Sequence, residues 1–100
     1  MDVAADPSRE NETGTIRVRY WASARAAAGT PGDDLPVDGP LSLTEVRRRA
    51  GDLHPGTRLL DVLQICSALV GDQPVSSEDP GQVLVPPGAS VEFLPPFAGG

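Results

Sequence analysis

The chain contains no lysine. All eight of its basic residues are arginine, set against 14 acidic residues for a net charge of −6. Without a side-chain primary amine it can neither form a lysine Schiff base nor offer a lysine as acceptor of an isopeptide bond. The acidic balance argues against nucleic acid and anionic membranes as partners, and leaves only a local arginine patch to meet an acidic protein surface. Cysteine is nearly absent too: a single Cys66 excludes an intramolecular disulfide and gives no sign of an oxidising compartment. It lies in the apolar run Leu63 to Val70, with no histidine or cation nearby in sequence to lower its pKa. It therefore reads as a small buried hydrophobe rather than a nucleophile.

Histidine is equally scarce. His54 sits beside Pro55 with no second histidine and no paired cysteine, so it reads as a surface turn residue, and no metal site is expected. No apolar stretch is long enough to span a bilayer, and the start of the chain lacks the charged and apolar regions of a signal peptide, which makes the cytoplasm the simplest location. What is present fits one small soluble domain. The 100 residues are 39% hydrophobic and 22% charged, and 11 glycines and 11 prolines imply many turns.

Met1 to Gly14 is polar and acidic with no apolar period after Val3, and is expected to be a disordered lead-in to a domain spanning 15–100. From Thr15, Ile16, Val18 and Tyr20 alternate with Arg17, Arg19 and Trp21 in strand period, with the first three facing the core. Ala22 to Ala28 has high helix propensity, and Gly29 is placed as its C-cap. Asp33 to Val37 carries Pro36 and supplies at most a brief edge strand with Leu35 and Val37 inward. Ser42-Leu43-Thr44-Glu45 is a capping box opening the main helix, whose buried stripe is Leu43, Val46 and Ala50, with Arg47, Arg48 and Arg49 on other faces. Gly51 and Pro55 are expected to end it. A short helical turn over Thr57 to Leu63, a strand at about Ile65 to Val70, a weak return strand at Val75, an apolar plug at Gln82 to Val85 and a last strand from Ser90 to Leu94 complete the chain. Val91 and Phe93 share one face of that last strand, Glu92 and Leu94 the other. The order predicts an α+β fold, one sheet over a principal helix, with the final strand beside the first at the sheet's centre.

The final residues are Phe93-Leu94-Pro95-Pro96-Phe97-Ala98-Gly99-Gly100. The two prolines stiffen the segment into an extended arm, and the two glycines give the thinnest backbone a protein can pass into a narrow channel. The α-carboxylate of Gly100 is ionised at neutral pH and is a poor electrophile until something activates it.

The opening Ile16-Arg17-Val18-Arg19-Tyr20-Trp21-Ala22-Ser23-Ala24-Arg25 and the ending Val91-Glu92-Phe93-Leu94-Pro95-Pro96-Phe97-Ala98-Gly99-Gly100 resemble the MoaD-like sulfur carriers, the small subunits of molybdopterin synthase. The likeness spans about Thr15 to Gly100 and implies a ubiquitin-like β-grasp fold. It implies a carrier that is not an enzyme alone and binds no cofactor. An E1-like, MoeB-like adenylyltransferase would use ATP to adenylate Gly100, a sulfur donor would convert it to a thiocarboxylate, and a MoaE-like large subunit would receive the tail and pass the sulfur to cyclic pyranopterin monophosphate. On this resemblance Gly100 is the reactive residue, Gly99 and Ala98 thread the tail, and Phe97, Pro96, Pro95 and Leu94 dock it. Leu94 departs from the family, in which an aromatic often stands there. Carriers of the thiamine and cysteine pathways share the Gly-Gly end, and a ubiquitin-like modifier and a plain interaction module are the rival classes.

Overall fold

A computed structural model of the chain describes residues 14–75 and 81–96. The first strand, β1 (Thr15–Tyr20), alternates exposed and buried residues without a break, because every second side chain of an extended chain meets the same layer. Ile16, Val18 and Tyr20 are sealed in the core. Gly14, the last residue of the expected lead-in, already accepts the Val37 N–H at 3.0 Å; the remainder of that segment lies outside the described residues.

Helix α1 (Ala22–Ala28) follows at once and ends on Gly29, whose φ of +76° lets its N–H reach back to the Arg25 carbonyl at 2.9 Å. The chain then returns as β2 (Gly32–Pro36), antiparallel to β1, with Leu35 and Val37 buried. Strand β3 (Leu41–Ser42) leads into the main helix α2 (Leu43–Asp52), then come α3 (Leu59–Ile65), β4 (Ser67–Val70), β5 (Gln73–Val75), β6 (Leu84–Val85) and β7 (Ser90–Leu94). The five-stranded sheet has the order β2-β1-β7-β4-β5, and β3 pairs with β6 apart from it. The last strand thus lies between the first, to which it is parallel, and β4, to which it is antiparallel. Pro36 and Pro74 both fall on outer strands, where a missing N–H breaks no ladder within the sheet. Val91 and Phe93 are buried beside Val18 and Tyr20, and together with Leu43, Val46, Leu59 and Leu63 they form one continuous core.

The α+β architecture agrees with the sequence reading, and the local differences have physical causes. Gly51 does not end α2 but lies inside it: a Cβ there would stand 2.9 Å from the Leu60 Cβ, so the glycine permits the close crossing of α2 and α3. Half of the capping box forms. Ser42 Oγ accepts the Glu45 N–H at 3.1 Å, while the Glu45 carboxylate is engaged by Arg48 and Arg49, which hold its pKa down at about 2. Ile65 closes α3 instead of opening β4; its exposure of 65% allows the next residue, Cys66, to turn inward. The pairing of β3 with β6 was not anticipated, since two residues apiece leave no readable period.

His54 is not a plain surface residue. Its side chain is only 17% exposed, and Nε2 lies 2.6 Å from Asp33 Oδ2. The same oxygen accepts the Tyr20 hydroxyl at 2.8 Å, and the two rings meet edge to face with centroids 6.2 Å apart. A tyrosine drawn into the core needs a partner for its hydroxyl, and the edge strand supplies it.

Candidate functional site

Strand β7 carries the chain toward its end from the middle of the sheet. Phe93, fully buried, pairs with Tyr20 of β1 on one side and Ala68 of β4 on the other, and its carbonyl accepts the Trp21 N–H at 3.2 Å. Leu94 pairs with Ser67 and is half-buried, Pro95 is half-buried, and Pro96 is exposed. The root of the arm is therefore gripped from both flanks before the prolines carry it outward. Phe97, Ala98, Gly99 and Gly100 lie outside the described residues.

The outward face beside this root carries a group that the sequence reading did not single out. Trp21 is 41% exposed, and its Nε1–H donates to Glu92 Oε1 at 2.9 Å across the two strands. The Arg19 guanidinium stands 6.0 Å from the Trp21 ring centroid. The strand alternation that placed Trp21 outward was the available signal, because Glu92 and Leu94 share that face of the neighbouring strand.

On the inward side Arg47 reaches from α2 across the end of α3. Its Nε donates to the Leu63 carbonyl at 3.0 Å and its Nη2 to the Cys66 carbonyl at 3.2 Å. The Leu63 carbonyl also accepts the Cys66 N–H at 3.2 Å, so Arg47 adds a side-chain donor to the capped end of α3. Cys66 itself is buried, and burial pushes its thiol up to about 11, with the Arg47 charge acting in the opposite direction. A thiol in that state is not a nucleophile at neutral pH. Among the described residues no group of three or more His, Cys, Asp or Glu side chains is arranged to hold a metal ion, and no helix is long and apolar enough to cross a membrane.

No protein-family model matches the chain. In sequence it is 33% identical over 86 residues to the molybdopterin synthase sulfur carrier subunit of Aspergillus niger, covering 86% of this chain and 94% of that protein. Among solved structures it is similar to the HVO 2177 protein of Haloferax volcanii, with a TM-score of 0.67 and 22% identity over 89% of each chain. It is also similar to small archaeal modifier protein 1 from Methanosarcina acetivorans, with a TM-score of 0.67 and 19% identity over 87% of this chain and 97% of that one. These likenesses identify the fold as a ubiquitin-like β-grasp. With the sequence match spanning nearly the whole of its relative, the chain belongs to the family of molybdopterin synthase sulfur carrier subunits.

Proposed function

We propose that the chain carries sulfur for molybdopterin synthesis as a thiocarboxylate on Gly100. The carboxylate attacks the α-phosphate of ATP on an E1-like, MoeB-like enzyme, expelling pyrophosphate and giving an acyl-adenylate. A sulfur donor then adds sulfide at the carbonyl carbon and AMP leaves. In a MoaE-like large subunit the thiocarboxylate sulfur bonds to a carbon of cyclic pyranopterin monophosphate as that carbon's bond to oxygen breaks and the oxygen departs with the electron pair, and water then cleaves the acyl-sulfur bond to restore the carboxylate. The carrier supplies no catalytic side chain of its own and needs no bound cofactor. Gly99 and Ala98 thread the channel, Phe97 and the two prolines aim the tip, and Leu94 and Trp21 meet the partner at the root.

The observation that supports this reading most is the placement of β7 between β1 and β4, which gives the arm beyond Leu94 a fixed origin at the centre of the sheet. Reach then depends on the number of residues past that origin. Near-attack geometry tolerates about 1 Å, and one further residue adds about 3.5 Å. A variant extended by one alanine after Gly100, and one lacking Gly100, are both expected to lose ATP-dependent adenylation while their melting curves stay unchanged. Sustained adenylation of the extended variant overturns the proposal.

The likeness in fold to a small archaeal modifier favours a second reading, in which the same activated Gly100 is joined to lysine amines of other proteins. Both readings share the first activation and diverge in product. Conjugates on other proteins would support modification, and a thiocarboxylate on the free chain would support sulfur transfer.

A further inference from the structure

We infer that the side chains of this carrier are chemically silent toward its own activated end, so that the acyl-adenylate is kept for the sulfur donor or for another protein. The inference rests on the reading of Gly100 as the activated carboxylate. An acyl-adenylate is a mixed anhydride. A free amine attacks its carbonyl carbon, the bond to the phosphate oxygen breaks, AMP leaves with the electron pair, and the new amide gives up a proton to solvent. Thiolates, phenolates and neutral imidazoles attack in the same way. A protein whose own end becomes such an electrophile in the presence of many copies of itself risks acylating its neighbours.

Each side-chain nucleophile class is missing or closed off in this chain, which leaves the N-terminal amine outside the inference. Lysine is absent from the sequence, and the exposed cations Arg17, Arg19, Arg25, Arg48 and Arg58 carry guanidinium groups, which donate hydrogen bonds and offer no acceptor lone pair. The one thiol, Cys66, is 6% exposed and protonated at neutral pH because burial raises it to about 11. The one phenol, Tyr20, is buried with its hydroxyl donated to Asp33, and burial followed by that bond drives its pKa far above the ordinary value. The one imidazole, His54, has a side chain only 17% exposed, with its Nε2 against the same carboxylate, 2.6 Å away. Serine and threonine hydroxyls are weak acceptors without an activating base.

The fold does not itself demand arginine at every exposed position. Arg48 grips the Glu45 carboxylate through two nitrogens and is left in place, whereas the Arg17–Asp34 pair at 3.2 Å joins exposed side chains, the kind of contact that a lysine ammonium also makes. Substituting lysine there changes the chemistry of the surface while keeping its charge.

The test uses the full chain with its activating enzyme and ATP, without a sulfur donor, and follows pyrophosphate release and intact mass together. Methylamine added to one arm reports whether the adenylate can be captured by an amine at all. The parent chain is expected to release pyrophosphate, to form the methylamide when methylamine is present, and to give no dimer joined through a side chain when it is absent. The variant combining Arg17→Lys and Arg58→Lys is expected to release pyrophosphate equally and to raise covalent dimer by about tenfold or more, with the new amide mapped to the introduced lysines. Self-adducts of the parent chain on any side chain overturn the inference. So does a lysine variant that forms no dimer while methylamine is still captured. Absence of pyrophosphate release removes the activated-carboxylate reading itself, and the inference with it.

Discussion

The guanidinium of Arg47 lies over the ring of Phe93, its central carbon 5.6 Å from the ring centroid. One side chain of the main helix thus touches the last fully buried residue before the arm while its nitrogens hold the Leu63 and Cys66 carbonyls at the junction of α3 and β4. Burial lowers the Arg47 pKa, as expected for a cation partly withdrawn from water. Arg47→Met keeps a stem of similar length over the ring and loses both carbonyl bonds, which is expected to cost about 1 to 3 kcal/mol in urea unfolding. Arg47→Lys keeps the charge without the two-pronged donor and should recover only part of that loss. An unchanged midpoint for the methionine variant would show that the two carbonyl bonds add nothing.

Phe93 and Leu94 are neighbours in sequence with opposite duties. Phe93→Ala empties a fully buried site and is expected to cost roughly 3 to 5 kcal/mol. Leu94→Ala removes a half-buried side chain at the root of the arm, so it should change stability much less and weaken binding to the large subunit. Titration calorimetry beside thermal melts separates the two effects, and a Leu94 variant that melts low and binds normally would reverse the assignment.

Alkaline pH should weaken the fold in a window set by Cys66. Its thiol ionises near 9 when unfolded but only near 11 when buried, so the unfolded chain sheds its proton first. Stability from this group is complete below pH 9 and falls as pH rises from 9 to 11, by at most roughly 2 kcal/mol. Tyr20, also raised, adds its own loss as pH climbs past its ordinary value of 10. Melting temperatures collected from pH 8 to 11 should decline, and Cys66→Ala should decline less steeply. Parallel curves for the two proteins would place the thiol in water.

The strands that form the sheet's centre were legible because each obeys a single period: Ile16, Val18 and Tyr20, then Val91 and Phe93, alternate with polar or outward residues and are all buried. The main helix was legible from Ser42 and from the stripe Leu43, Val46 and Ala50. Elements defined by contacts distant in sequence were not. Gly51 reads locally as a stop signal, and only the approach of Leu60 explains it as an interior residue. His54 shows nothing in its own neighbourhood of the Asp33 and Tyr20 that receive it, since they lie 21 and 34 positions earlier. At the site, outward Trp21 was readable from alternation, whereas its bond to Glu92 spans 71 positions and became visible only when β1 and β7 were placed side by side.

The central claim is that sulfur is carried on the Gly100 carboxylate, and intact-mass spectrometry tests it most directly. After incubation with ATP, the activating enzyme and a sulfur donor, the chain is expected to become about 16 Da heavier as sulfur replaces one oxygen, with fragmentation placing the added mass on Gly100. An unchanged mass under conditions that consume ATP, or the same increment located on any other residue, would contradict the account.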